Sequence, residues 1–315
     1  MTLPMIDRIA AVRAGAVLTT DDIVAMRRQI WPDGVISAAE VELVFAMNDV
    51  IADAPDEWID FFVEAVTTFI VRQQSPVGYV DAAKADWLIA RIDADGRVES
   101  AAELECLVKI LEDAVDAPPA LKAYALRQVE GAVTSGSGPT RRGGVLDPGT
   151  INATEVALLR RILFAPGGDG PARISRAEAE MLFRLKDAAH GTPLAPEWQM
   201  LFVQGVANYL MAYGRYAPLD RDRAAALDAF MGDSTVRIGG FMARLGRSVM
   251  AGTVFDLLRA GRAPEPLEAA VERARTIDPE ERAWLRAQID ADGVLDPAEK
   301  ALLDFLAQEG QLDGW

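Results

Sequence analysis

The sequence predicts an all-α protein arranged as two tandem helical-bundle modules, the second carrying a helical insertion. Three observations lead there. Half of the 315 residues are apolar, with Ala and Leu abundant and β-branched alternation scarce, a balance that favours helix. Apolar residues recur at spacings of three and four. The chain also matches itself in four blocks taken in the same order, the mark of a duplication. A chain of this length has room for about two domains of ~150 residues.

The matched blocks run as follows. "VAMRRQIWPDG" resembles "ALLRRILFAPGGDG", and "ISAAEVELVFAMND" resembles "ISRAEAEMLFRLKD". "DEWIDFFVEAVTTFIV" lines up with "PEWQMLFVQGVANYLM", placing Trp58, Phe62 and Val66 on Trp198, Phe202 and Val206. "ADWLIARIDADGRVE" pairs with "RAWLRAQIDADGVLD". The first module spans 1–134 and the second 150–315. The change of spacing before the last block places an insertion at about 217–277. Residues 135–149 are a linker, entered through the Gly, Ser and Pro of "TSGSGPTRRGG", a flexible composition.

About six helices are expected in the first module, and the same set plus two or three in the second. "EWIDFFVEAVTTFIV" carries a wide apolar stripe suited to a central helix, with Trp58, like Trp198, as a core anchor. Helix starts share one signature: an apolar residue, a small polar cap, and an acid three residues on. It occurs at Thr19/Asp22, Ser37/Glu40, Ser100/Glu103, Asn152/Glu155, Ser175/Glu178 and Asp296/Glu299. The cap oxygen accepts from a free N–H of the first turn, and the acid reaches back to the N–H of the cap. These acids need no metal to explain them.

A calcium hand uses the same geometry with more oxygens: ligands at loop positions 1, 3 and 5, Gly at 6, an apolar residue at 8 and a bidentate Glu at 12. Residues 288–299 supply Gln288, Asp290, Asp292, Gly293, Leu295 and Glu299, so only the acid at position 1 is missing. The other three loops fit worse. Arg91 opens one and repels a cation, Trp31 stands at a ligand position of another, and two extra residues follow Asp169-Gly170 in the third. A divalent cation therefore has one candidate site, formed by Gln288, Asp290, Asp292 and Glu299. No other cofactor is expected.

The Asp-Gly-x-apolar starts recur as Asp33-Gly34 with Ile36 and Glu40, Asp95-Gly96 with Val98 and Glu103, Asp169-Gly170 with Ile174 and Glu178, and Asp292-Gly293 with Leu295 and Glu299. This arrangement resembles the TerB-like helical fold of tellurite-resistance proteins, in two copies covering most of the chain. Two of the starts depart from the motif, by the extra residues after Gly170 and before Glu103. The resemblance implies an all-α, often acidic domain linked with metal-ion stress and membrane-associated complexes. It does not imply an enzyme.

Charge narrows the classes further. A net charge of −16 disfavours a nucleic-acid face, which needs clustered Lys and Arg. The single cysteine, Cys106, sits on an apolar helix face and is expected in the core. The single histidine, His190, lies beside a helix C-terminus, so multi-histidine metal sites and His-based hydrolase chemistry are not expected. The N-terminus lacks the apolar region of a signal peptide, and charges interrupt every apolar stretch before it reaches membrane-spanning length. The expectation is a non-enzymatic cytoplasmic protein with a protein partner. Within the insertion, "VRIGGFMARLGRSVMAGTVFDLLRAGRAP" sets five arginines against Asp256 alone. Arg237, Phe241, Arg244, Arg247 and Arg259 make it the candidate partner-binding segment, either in a protein groove or on an anionic membrane surface.

Overall fold

In the computed structural model, residues 4–93, 98, 100–141, 145–168, 173–189, 191–211, 277–291, 293–309 and 311 are described. Their regular elements are helices, as expected, apart from isolated bridges at Tyr79–Asp116 and Ile151–Leu194. Helix α1 is Met5–Arg13, α2 Thr20–Ile30, α3 Ala38–Asn48 and α4 Asp56–Thr67, the last running into a π-helical turn at Thr68–Gln73. Then come α5 Ala82–Ile92, α6 Ala101–Asp113 and α7 Pro119–Ser135, followed by a 3-10 turn at Pro139–Arg141. The series continues with α8 Ala153–Leu163, α9 Arg176–Ala188, α10 Trp198–Met211, α11 Pro279–Ile289 and α12 Pro297–Gln308. The insertion segment, with Arg237, Phe241, Arg244, Arg247 and Arg259, lies outside the described residues, as do Asp292 and His190.

All six expected capping boxes form, at Thr19, Ser37, Ser100, Asn152, Ser175 and Asp296. A seventh, Asp278 with Glu281, starts α11 and was not anticipated. Before α3 and α12 the chain turns through Gly34 and Gly293 at φ 80° and 70°, a backbone region that disfavours other residues.

Matched positions make matched contacts. Helix α4 packs on α2, α3 and α6, and α10 packs on α8, α9 and α12. Phe45 meets Phe62 edge to face at 5.1 Å, and their counterparts Phe183 and Phe202 meet at 5.1 Å as well. Trp58 and Trp198 are both buried, as their stripe positions required. Cys106 is fully buried, and burial raises the pKa of its thiol. Each large side chain so enclosed contributes roughly 1.5–3 kcal/mol of burial free energy.

The two sets of helices share one apolar core, because α6 and α7 pack on α8 and α7 also packs on α9. Residues 135–149, expected to be a flexible linker, are tied down at their described positions. The Leu146 N–H donates to the Gly136 carbonyl at 2.9 Å, and the Gly149 N–H donates to the Val133 carbonyl at 2.8 Å. Gly149 has φ 85°, and the space a Cβ would need is taken by the Ala188 carbonyl. Gly149→Ala should therefore lower unfolding free energy by roughly 1–3 kcal/mol, read as a lower urea midpoint. An unchanged midpoint would mean that this segment is not packed as described.

Candidate functional site

The acid that ends the candidate calcium loop is engaged elsewhere. Glu299 is fully buried at the first turn of α12. Its Oε2 accepts from the Asp296 N–H at 3.0 Å, and its Oε1 accepts from Lys186 Nζ at 2.6 Å. The same ammonium lies 3.0 Å from Asp296 Oδ2 and 2.9 Å from Asp187 Oδ1. Burial opposes charge on Lys186, but the hydrogen bonds it donates to Glu299, Asp187 and Asp296 outweigh it and raise the pKa. Asp290 is exposed at the end of α11 and Gln288 is half-buried two residues earlier. Each oxygen of Glu299 thus already has a partner within the protein, whereas a calcium hand uses both oxygens of its twelfth residue; Asp292 of the same loop lies outside the described residues. Among the described residues, no group of three His, Cys, Asp or Glu side chains is disposed to hold a metal ion.

The arrangement at Glu299 recurs at other helix starts. One carboxylate oxygen closes the capping box, and the carboxylate also takes a partner distant in sequence. Asp22 meets Arg8 at 2.7 Å, Glu155 meets Arg141 at 2.9 Å, and Glu178 meets Lys122 at 2.8 Å. Glu103 accepts from Asn48 Nδ2 at 2.9 Å. Glu40 differs: it accepts from the N–H and the hydroxyl of Ser37, its own cap, at an exposed helix start. The sequence announced the caps, but nothing in local spacing identified Arg8, Asn48, Lys122, Arg141 or Lys186 as second partners.

Asn48 and Lys186 occupy matched positions, and their difference has a further consequence. Asn48 donates to Glu103 while its Oδ1 accepts from Trp58 Nε1 at 3.2 Å. Lys186 donates to Glu299 but has no acceptor to offer, and the buried Trp198 Nε1 has no hydrogen-bond partner among the described residues.

A different kind of site opens at the surface of the first half. Between α3, the π-helical turn and α5 lies a cleft of about 340 Å³, whose lining includes Ala38, Glu42, Phe69, Asp81, Lys84 and Trp87. Phe69 and Trp87 stack at 5.6 Å with their rings tilted by 54°, and both are half-buried. Lys84 Nζ donates to the carbonyls of Tyr79 at 2.7 Å and Gln74 at 3.2 Å. Single π-helical turns often accompany functional sites. The cleft was not anticipated, because it needs three elements that only folding brings together.

No family model, curated protein or solved structure matches this chain. Among the described residues, no helix is long and apolar enough to cross a membrane.

Two stability comparisons follow from the capping acids. Glu155→Ala leaves the Arg141 guanidinium buried and unpaired and should cost about 3–5 kcal/mol. Glu40→Ala removes only an exposed cap and should cost about 1 kcal/mol or less. Equal losses in urea unfolding would show that the inward partner contributes nothing.

Lys186→Met should cost about 3–5 kcal/mol by stranding Glu299. Lys186→Asn should cost less, by roughly 1–3 kcal/mol, because an amide can serve both Glu299 and Trp198 Nε1 as Asn48 serves Glu103 and Trp58. The same urea midpoints, compared between these two variants, check it, and an asparagine no better than methionine would contradict the parallel.

Proposed function

We propose that this chain is a non-enzymatic, acidic helical scaffold that binds a protein partner through two tandem modules, 1–134 and 150–315. The observation that supports this reading best is the junction between the two sets of helices. Arg161 on α8 bonds Glu105 at 2.7 Å and Glu112 at 2.7 Å on α6. Arg184 on α9 reaches Glu130 on α7 at 2.7 Å, and Lys122 on α7 reaches Glu178 on α9 at 2.8 Å. The hydrogen bonds Arg161 donates to Glu112 and Glu105 raise its pKa, so the clamp stays charged at any physiological pH. Together with the shared apolar core, these bonds hold two similar surfaces at a fixed spacing, which is what a scaffold requires.

The TerB-like character of the helix starts is compatible with this role. The calcium reading is weakened by the engagement of Glu299 with Lys186. The membrane-surface reading rests on 236–264, outside the described residues.

The test is cross-linking of the full chain in its native extract, followed by reconstitution with each purified candidate. A stoichiometric complex in analytical ultracentrifugation, weakened when salt shortens the Debye length from about 10 Å at 0.1 M to about 3 Å at 1 M, is the expected result. A chain that forms no complex with any candidate, or that turns over a substrate, overturns the reading.

A further inference from the structure

The second half shows what the cleft in the first half is shaped to hold. Matched positions place Trp284 where Trp87 stands, Glu180 where Glu42 stands, and Tyr209 where Phe69 stands. Trp284 packs edge to face on Tyr209 at 4.9 Å and donates from Nε1 to Glu180 Oε1 at 3.2 Å. Arg176 completes the group. Its guanidinium lies 5.9 Å from the centre of the Trp284 ring, and its Nε pairs with Glu180 Oε1 at 3.0 Å. An aromatic face and a carboxylate on one side of a guanidinium satisfy both its π-face attraction and its hydrogen bonding.

In the first half the tryptophan and the glutamate are retained, but the position of Arg176 is taken by Ala38, which lines the cleft. The missing side chain is a whole arginine. We propose that this cleft binds the guanidinium of an arginine carried on a basic segment of a partner protein, in the place that Arg176 takes in the second half. This deepens the scaffold reading and rests on it.

The charges around the cleft are compatible with such a guest. Glu42 Oε2 already accepts from Arg91 Nε at 3.0 Å, and the Arg91 guanidinium itself lies 4.9 Å over Phe45. A carboxylate has about four acceptor positions, so Glu42 can take a second donor. Asp81 adds a second carboxylate to the lining, while Lys84 is held by the carbonyls of Tyr79 and Gln74. Lysine would satisfy the charge but not the flat stacking on Trp87. The chain carries −16 overall, so a basic segment arrives with favourable electrostatic steering.

The test is an NMR titration of the full ¹⁵N-labelled chain with acetyl-Gly-Arg-Gly-amide, following the tryptophan indole signals and identifying that of residue 87 through Trp87→Phe. A saturable shift of the Trp87 indole is expected, and none with the citrulline peptide, which has the same shape without the charge. Ala38→Arg should fill the cleft and weaken binding by about tenfold or more. Ala39→Arg, with the same added charge at an exposed position on the same helix, should leave binding unchanged. Arg176→Ala should open a second site, reported by the Trp284 indole.

Equal shifts with citrulline, or equal weakening by both α3 variants, overturn the proposal. Binding seen only after Arg237, Arg244, Arg247, Arg259 and Arg262 are replaced by Gln assigns the cleft to the chain's own segment and overturns a partner as its occupant. Failure of the peptide while a stoichiometric complex persists removes the cleft and leaves the scaffold reading standing. Loss of both removes the scaffold reading too.

Discussion

The structure depends on carboxylates that start helices and turn inward. At Asp22, Glu103, Glu155, Glu178 and Glu299 the carboxylate closes a capping box and also bonds a side chain far away in sequence. A buried carboxylate is costly unless each oxygen has a partner, so the fold that buries the acid must also deliver its second donor. The cap fixes where the helix begins, and the second bond fixes what that beginning packs against. Local and long-range structure are thereby joined at single residues.

Five such joints explain how so acidic a chain closes on itself. Arg8 ties α1 to the start of α2, Asn48 ties the end of α3 to α6, and Lys186 ties the end of α9 to α12. Arg141 brings the segment after α7 onto the start of α8, and Lys122 brings α7 onto the start of α9. The last joint crosses directly between the matched halves, and the Arg141 joint fixes the segment that connects them. With the Arg161 clamp between α8 and α6, charge reinforces a junction that apolar packing also forms.

The matched halves retain their packing and differ in their polar side chains. The Phe45–Phe62 and Phe183–Phe202 pairs keep almost the same geometry, because a change of volume in a close-packed core is penalised at once. Polar positions are free to vary when a new partner can be found nearby. Asn48 against Lys186 exchanges an amide bridge for an ion pair and strands the Trp198 indole. Ala38 against Arg176 opens a cleft in one half and fills it in the other. Such differences distinguish two surfaces that one helical framework would otherwise make alike.

The sequence by itself determined the all-α class, the positions of six helix starts and the burial of Trp58, Trp198 and Cys106. These follow from interactions within a few residues: helical periodicity, cap-to-N–H bonds and the placement of apolar stripes. Tertiary structure decided which acids acquired buried partners. The spacing of 288–299 gives a capped turn and, less completely, a calcium loop, but it carries no sign of Lys186, the partner of Glu299 more than a hundred residues away in sequence. Tertiary structure also decided that the described residues of 135–149 dock rather than swing, through the Gly149 N–H and the buried Arg141. The cleft beside Trp87 was decided there as well, because its walls come from three elements. The physical reason is common to all three: hydrogen-bond geometry between distant residues is set by how helices pack, and no local pattern records it.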